Sequence, residues 1–385
     1  MLTPRIDFKN FRTKIKLKKN LKVKLKLLLK ENNEILKSLG KNYKNFYKKK
    51  DLIKYKKYNT FRVIGMGGSI LGTQAIYDFL KDKINKNFTF INNLQSNNNK
   101  IDKKKSINLV VSKSGETIET IVNSNLIIKK KDKNIFITEN KNSFLHILAN
   151  KLKAEVVHHN NFIGGRYSVL SEVGMLPAEL MGLSPNYFKQ FNNLIKNKKF
   201  LNSLIVNVNS ILHFINKKKF NSVIINYDEK SENLLKWYQQ LVAESLGKKK
   251  KGVLPIISNM PKDNHSVMQL YLDGFQNNFF TFFYTHDEKL IKMNNHLLMQ
   301  NKRYLKNRYI NEILFAQKKG TENVFKKKNI PFRSFEIKKR DEKTLGELFC
   351  FFILETILIG KSLNLNPYDQ PAVELIKKET KNLLI

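Results

Sequence analysis

Short apolar runs recur along the chain from residue 60 onward, and each is followed by a helical segment or a loop. Runs of four to eight apolar residues are typical of buried strands in a parallel sheet, whose helices cover both faces. The predicted strands are 61–65, 107–112, 134–138 and 154–158 in a first set, and 222–227, 252–258, 279–284 and 331–337 in a second. Helices from about 184 to 215 connect the two sets. The pattern therefore predicts two doubly wound α/β domains, at residues 58–190 and 191–344.

The two ends of the chain have helical patterns instead. Residues 1–57 are rich in Leu and Lys, which predicts an N-terminal segment of two or three exposed helices. A basic amphipathic helix can also lie on a membrane, but a solvated capping element is the commoner structure. A long helical pattern at 345–362, followed by a last helix from Pro371, predicts a C-terminal helical arm over 345–385.

Charge changes this picture little. The net charge of +39 is typical of nucleic-acid binding, but Arg supplies only eight of the 71 basic residues. Specific readers of bases and phosphates favour the bidentate guanidinium of Arg, and here Lys is scattered over the whole chain. We therefore predict no specific nucleic-acid partner. A positive surface of this kind is expected to steer anionic substrates inward.

The sequence indicates a soluble protein of the cytoplasm. Cys350 is the only cysteine, which excludes an intrachain disulfide and suits a reducing compartment. The N-terminus has no continuous apolar stretch typical of a signal peptide. The most apolar segment, 348–359, is too short to span a bilayer, so no membrane partner is expected.

Two loops that follow predicted strands have the residues of phosphate-binding sites. Gly65-Met66-Gly67-Gly68-Ser69 leaves a strand and opens a helix, where exposed backbone N–H groups favour an anion. A plain tight turn would have the same residues. Ser112-Lys113-Ser114-Gly115-Glu116-Thr117 places three hydroxyls and one ammonium at the start of a second helix. Its alternative is an ordinary capping box, but two such loops in one sheet favour phosphate.

Three further motifs contain side chains that could do chemistry. Arg166 follows Gly164 and Gly165, and a fixed cation can stabilise a developing enediolate; a surface Arg on a turn is the alternative. Gln240 and Glu244 share one face of a helix that ends at Gly247, where a Glu is usually a solvated charge. His265 stands between a strand and a helix. The histidines show no metal-ligand spacing, so no metal site is predicted.

These motifs together resemble the glucose-6-phosphate isomerase family, in order over about residues 60 to 385. Residues 110–120 resemble its phosphate loop, 164–168 its Gly-Gly-Arg-Tyr-Ser signature, 244–248 its Glu-Ser-x-Gly-Lys pattern, and 368–377 its C-terminal signature. The resemblance implies two sugar-isomerase (SIS) domains with a C-terminal helical arm. It implies reversible isomerisation of glucose 6-phosphate and fructose 6-phosphate through a cis-enediolate, without metal or organic cofactor.

The resemblance also assigns roles to residues. The implied catalytic residues are Glu244 as the base, Arg166 beside the enediolate, and His265 with Lys377 for ring opening. The implied substrate-binding residues are Gly68, Ser69, Ser112, Lys113, Ser114, Thr117, Gln240 and Gln370, and the supporting ones are Glu119, beside the imidazole of His265, and Gly165. Because the family's histidine reaches the site from the neighbouring subunit, a homodimer is expected.

Some positions depart from the family pattern, and two rival functions stay open. Leu246, Asn264, Pro371 and Ala372 replace the usual residues, which makes the local geometry around His265 and Lys377 harder to predict. One rival is a bifunctional glucose/mannose 6-phosphate isomerase, which activity on mannose 6-phosphate would reveal. The other is a non-catalytic sugar-phosphate sensor, which would need the phosphate loop but not Glu244.

Overall fold

The computed structural model describes residues 2–12, 15–94, 106–288 and 291–385. Within these ranges the strands are β1 (Ile6–Lys9), β2 (Thr60–Gly65), β3 (Asn87–Ile91), β4 (Ile107–Val111), β5 (Lys133–Thr138), β6 (Glu155–His158), β7 (Asn221–Asn226), β8 (Leu254–Asn259), β9 (Asn278–Thr285) and β10 (Phe332–Ile337). The helices are α1 (Lys19–Leu29), α2 (Glu34–Ser38), α3 (Leu71–Phe79), α4 (Ile118–Ile127), α5 (Phe144–Lys151), α6 (Glu172–Leu180), α7 (Pro185–Phe188), α8 (Phe191–Leu194), α9 (Lys198–Asn216), α10 (Glu232–Leu246), α11 (Met268–Asp273), α12 (Ile310–Lys327), α13 (Glu342–Ser362) and α14 (Pro371–Leu384).

The strands form two sheets of five with related topology. The first sheet has the order β3-β2-β4-β5-β6, and all its strands are parallel. The second has the order β1-β10-β9-β7-β8 and is parallel except for β1, which pairs with β10 in the antiparallel sense. In both sheets the first parallel strand lies between the second and the third. The chain therefore repeats one α/β topology, which confirms the predicted fold class.

All eight predicted strands are present, but two observed strands were not predicted. β1 and β3 each lie at the edge of a sheet. β1 also lies in the segment that was expected to be purely helical. The predicted parallel character of the second sheet is therefore wrong at this one edge, where a short N-terminal strand closes it.

Apolar side chains pack on both faces of each sheet. In β2, Phe61 and Val63 join a large cluster that also includes Ile224 of the second sheet. Ile64, on the opposite face of β2, packs with Leu145 of α5 in a separate cluster. An equivalent outer cluster covers the second sheet. Because successive strand residues face opposite sides, each sheet has one face on the shared core and one on its own outer helices.

The N-terminal segment differs from the expectation of exposed helices, and the predicted C-terminal arm consists of one buried and one exposed helix. In α1, Leu21, Leu25 and Leu28 are buried, and the helix packs against α13. α13 is itself buried along most of its 21 residues, so the first part of the predicted arm lies in the core. α14 has no buried residue. The proposed domain boundaries stay predictions. No helix in the described ranges combines the length and apolarity needed to cross a membrane.

Candidate active site

The strand order reverses between β2 and β4 in the first sheet. In open α/β sheets, ligands bind outside the carboxyl ends of the strands at such a point. Here β2 leads into the loop 65–69, called the glycine turn below, and β4 leads into the loop that begins at Ser112. Both predicted phosphate loops therefore border the same crevice.

The equivalent point of the second sheet, between β7 and β9, is closed by charged side chains. Arg340 donates from Nη2 to Oδ1 of Asp228 at 2.9 Å and from Nε to Oδ1 of Asp287 at 2.7 Å. The side chain of Arg340 is only 8% exposed, and these bonds raise its pKa. At the corresponding edge of the first sheet, Ser69, Ser114, Thr117 and Glu244 are partly exposed, so that edge is the better candidate for a substrate site.

The glycine turn allows three parts of the chain to meet at the crevice. Gly67 has a φ of +50°, and a Cβ there would lie 2.8 Å from Nε2 of Gln240. A Cβ on Gly68 would lie 2.2 Å from the carbonyl carbon of Gly165. Real Cβ atoms do not approach so closely. Glycine at these two positions therefore lets the turn touch both α10 and the backbone before Arg166.

Hydroxyl groups organise the second loop before its helix begins. Oγ of Ser112 lies 2.9 Å from Oγ1 of Thr117 and accepts a hydrogen bond from the Gly115 N–H at 3.2 Å. Oγ of Ser114 accepts from the Glu116 N–H at 3.2 Å. α4 starts after Thr117 without a side-chain cap, so the alternative of an ordinary capping box is not formed.

Lys113 is held on the side of the loop that faces β6. Its Nζ donates to the carbonyl oxygen of Asn161 at 2.7 Å and lies 3.6 Å from Oε1 of Glu139. Burial lowers the pKa of Lys113, and the nearby Glu139 opposes that shift. The ammonium is thus already paired, so the backbone of Lys113 is the part available to an anion in this arrangement.

The guanidinium of Arg166 is buried, and all five of its N–H groups have an acceptor. Nε donates to Oγ of Ser245 at 2.8 Å, and the side chain is 1% exposed. Nη2 donates to the carbonyl oxygens of Pro367 and Asp369 at 2.8 and 3.1 Å. The predicted alternative of a surface Arg is therefore wrong. These contacts fix the position of the charge.

Nη1 of Arg166 faces the crevice with two side-chain acceptors. It lies 3.2 Å from Oε2 of Glu244 and 2.7 Å from Oε1 of Gln370. Nε2 of Gln240 donates to Oε1 of Glu244 at 2.9 Å. The Glu244 side chain is 31% exposed, so a ligand can reach it. The structure brings together Arg166, Glu244, Gln240 and Gln370, which were predicted from three separate motifs.

A salt bridge ties the segment of Gln370 to the end of α10. Nζ of Lys248 lies 2.5 Å from Oδ1 of Asp369 and donates to the carbonyl oxygen of Asn366. The pKa of Asp369 is lowered chiefly by its hydrogen bond with Lys248. The Pro371 departure therefore leaves the contact of Gln370 with Arg166 intact.

The structure does not bring three predicted residues to this group. The imidazole of His265 is exposed, and no side-chain hydrogen bond joins it to another described residue. Lys377 pairs at 2.7 Å with Glu374 on its own exposed helix. Glu119 lies in the first turn of α4 without a contact to His265 among the described residues.

Sequence reasoning missed the residues that support Arg166 from behind. Oγ of Ser245 lies 2.8 Å from the hydroxyl of Tyr167, which also donates to the carbonyl oxygen of Pro367. Nε1 of Trp237 donates to the backbone carbonyl of Arg166 at 3.1 Å. All three stand inside or beside the quoted motifs. Tyr167 directly follows Arg166 and Ser245 directly follows Glu244 in the sequence, and this adjacency could have indicated their supporting role.

The described side chains at the crevice are suited to anion binding and proton transfer. Glu244 is the partly exposed carboxylate among them, and both of its oxygens already accept hydrogen bonds. Within the described ranges, no three His, Cys, Asp or Glu side chains are grouped so that they could hold a metal ion.

Comparison with known proteins identifies the family. The family model for phosphoglucose isomerase matches residues 53–384. The chain is 33% identical over 359 residues to a glucose-6-phosphate isomerase of Methanocaldococcus jannaschii, covering 85% of this chain and 86% of that protein. This chain belongs to the phosphoglucose isomerase family. The predicted resemblance is thereby confirmed.

Other members of the phosphoglucose isomerase family and solved structures agree. A glucose-6-phosphate isomerase of Campylobacter jejuni is 30% identical over 343 residues, covering 84% of each chain. The crystal structure of a hypothetical protein from Thermus thermophilus superposes with a TM-score of 0.82 at 21% identity, covering 94% of each chain. That of a glucose-6-phosphate isomerase from Chlamydia trachomatis gives 0.73 at 19% identity, covering 91% of this chain and 77% of that one. These structural likenesses show the fold.

Proposed function

We propose that this chain interconverts glucose 6-phosphate and fructose 6-phosphate by ring opening and proton transfer through a cis-enediolate. The observation that carries the proposal is the Glu244 carboxylate, partly exposed between Arg166 and Gln240 at the mouth of the crevice. A carboxylate in contact with a fixed cation can remove a proton beside a carbonyl while the cation stabilises the charge that develops.

The phosphate of the substrate binds at the two loops in this proposal. Ser112, Ser114 and Thr117 offer hydroxyls, and Gly68 and Ser69 offer the backbone and side chain of the neighbouring turn. The hydroxyls of Ser112 and Thr117 already lie 2.9 Å apart, so one anion can meet both. The glycine turn touches Gln240, and Gln240 donates to Glu244. A phosphate held at the two loops therefore leaves the sugar carbons to extend toward Glu244.

Glu244 takes the proton from C2 and returns it to C1, and Arg166 stabilises the enediolate oxygens. Since all five N–H groups of Arg166 are occupied, a substrate oxygen must replace Glu244 or Gln370 as an acceptor of Nη1. If the substrate oxygen replaces Glu244, Oε2 of Glu244 is freed to act as the base while it stays beside the cation. Gln240 and Gln370 then orient the base and the substrate hydroxyls, and Gly165 supports the turn.

We propose further that the enzyme acts as a homodimer in which His265 completes the neighbouring subunit's site. His265 is exposed, and α14 exposes Leu375 and Ile376 by 67% and 68%. Exposed apolar patches of this kind mark association surfaces. In this arrangement His265 and Lys377 open the sugar ring, and Glu119 orients the imidazole. Cys350 is free and fully buried, which suits the cytoplasm as location.

Replacement of the base tests the mechanism. Because a positioned base contributes about 10²–10⁴-fold, Glu244→Gln is expected to lose at least about 100-fold in kcat for fructose 6-phosphate and to keep its KM. Glu232→Gln, on the same helix with its partner Lys236 on the surface, is the matched control and should be unaffected. Unchanged activity of Glu244→Gln would refute the assignment of the base.

Mixing two inactive variants tests the shared site. Glu244→Gln and His265→Ala are each expected to be inactive alone. If His265 acts across the interface, a hybrid dimer contains one intact site, so re-association of an equal mixture restores about a quarter of the wild-type activity. A mixture that remains inactive, although hybrids form, would contradict the exchange of His265.

A further inference from the structure

A cavity separate from the candidate active site lies at the amino ends of the strands of the second sheet. It has a volume of about 710 Å³, within the range of about 300–1,000 Å³ that is usual for ligand pockets. It is lined by the starts of β9 and β10 and by the segments 271–276 and 328–331. None of the residues assigned above to the isomerase site lines it.

The polar part of this cavity is strongly basic. Four cationic side chains line it against one carboxylate, that of Asp273; the cations are Arg12, Lys219, Lys326 and Lys328. Asp273 lies 3.8 Å from Lys328, and both side chains are well exposed. Among the described residues, Arg12 has no carboxylate within 4.0 Å. The excess positive charge is therefore left for an anion.

The apolar part of the cavity is aromatic. Tyr271 packs edge-on against Phe280 at a centroid distance of 5.3 Å, and Phe332 also lines the cavity. Phe275 is 55% exposed at the cavity. Aromatic faces of this kind stack on flat rings, and stacking is worth about 1–3 kcal/mol per nucleobase in nucleic-acid sites.

We propose that this cavity binds a nucleoside di- or triphosphate. The phosphate groups meet Arg12, Lys326 and Lys328, and the base stacks against Phe275 or Tyr271. A phosphate chain alone would use the cations but leave the rings unused, and an uncharged aromatic ring would leave the cations unpaired. Nucleotides supply both kinds of group within a size that the cavity accommodates.

Calorimetric titration with ATP, in EDTA and about 150 mM KCl to screen the general surface charge, tests the proposal. The double variant Arg12→Gln/Lys326→Gln removes two half-buried or exposed cations, so the fold should persist. Lys130→Gln/Lys131→Gln makes the same change in charge on exposed residues between α4 and β5 and is the matched control. Phe275→Ser tests stacking, and inorganic tripolyphosphate replaces ATP to test charge alone.

We expect the cavity double variant to bind ATP at least about tenfold more weakly than the wild type, and the control variant to bind as the wild type does. Phe275→Ser should weaken ATP by about fivefold or more and leave tripolyphosphate unchanged. ATP should also slow amide hydrogen exchange in α11, which forms one wall. Absence of ATP binding, or equal losses in both double variants, would overturn the proposal.

The isomerase site supplies a separate control, because it also contains a phosphate loop. Ser112→Ala is expected to bind ATP as tightly as the wild type. A loss of ATP binding in Ser112→Ala would place the nucleotide at the isomerase site and refute this proposal. Since binding is measured without turnover, the result does not depend on the proposed reaction.

Discussion

The glycine turn contacts the backbone of Gly165 and Arg166, so a side chain added at Gly68 is expected to disturb the site. A Cβ at residue 68 would lie 2.2 Å from the carbonyl carbon of Gly165 and 2.4 Å from the backbone nitrogen of Arg166. Ordinary van der Waals contact begins near 3.4 Å, so the two backbones would have to separate by about 1.2 Å. Both partners are backbone atoms, and no side chain can rotate away.

That separation would move the guanidinium of Arg166 away from Glu244 or the glycine turn away from the phosphate. A displacement of about 1 Å in a reacting group can cost about 100-fold in rate. We therefore expect Gly68→Ala to lower kcat/KM for fructose 6-phosphate by about 100-fold. Steady-state kinetics in a coupled assay measures this effect, and urea unfolding shows whether the fold persists.

The reverse substitution and a distant one are matched controls. A Cβ on Gly165 would meet the Cα of Gly68 at 3.7 Å, an ordinary contact, so Gly165→Ala should retain most activity. At Gly320, inside α12, a Cβ would meet no atom within 4 Å, and Gly320→Ala should be active and about 0.5–1 kcal/mol more stable. Equal activities for Gly68→Ala and Gly320→Ala would refute the steric reasoning.

Two further predictions concern buried charges outside the crevice. Arg333 and Glu355 form a salt bridge with both side chains 0% exposed, so Glu355→Ala, which leaves the guanidinium unpaired, should lower the free energy of unfolding by about 3–5 kcal/mol; a loss below about 1 kcal/mol in urea titrations would contradict this. Burial lowers the pKa of Lys189 to about 7, so between pH 7 and about 10 the unfolded chain binds more protons than the folded one, and stability should rise with pH. Below pH 7 both states are protonated and this contribution has no slope. Lys189→Met should lack the rise when unfolding is compared at pH 7 and 9, and identical slopes would exclude the effect.

The apolar runs predicted the interior strands because those strands are buried on both faces, so that consecutive residues are apolar. The edge strands β6 and β8 were still predicted, because each contains consecutive apolar residues. β1 and β3 escaped because their residues alternate between buried and more exposed positions; β3 exposes Asn87 and Thr89 and buries Phe88 between them. An alternating pattern of only four residues, as in β1, cannot be told from the sequence of a loop. Pairing with a strand more than 300 residues away, as between Ile6 and Ile337, has no local signal at all.

The candidate site was predictable to a different extent. The motifs identified Arg166, Glu244 and Gln370, and the geometry joins them as hydrogen-bonded neighbours. Periodicity could not show that Arg166 would be buried with five acceptors, because three of them are backbone or serine oxygens that any sequence offers. The roles of His265 and Lys377 stay predictions, since His265 is exposed and Lys377 pairs with Glu374 on its own helix.

The two sheets share a topology, yet the described residues differ at the point where the strand order reverses. In the second sheet, Arg340 with Asp228 and Asp287 occupies the equivalent place. Nη1 of Arg340 also donates to the carbonyl oxygen of Phe79 at the end of α3. The repeated topology thus has two different edges, one with partly exposed polar side chains and one closed by the salt bridges of Arg340. Among the described residues, an anion would therefore meet buried salt bridges at the edge of the second sheet, and partly exposed hydroxyls beside the carboxylate of Glu244 at the edge of the first.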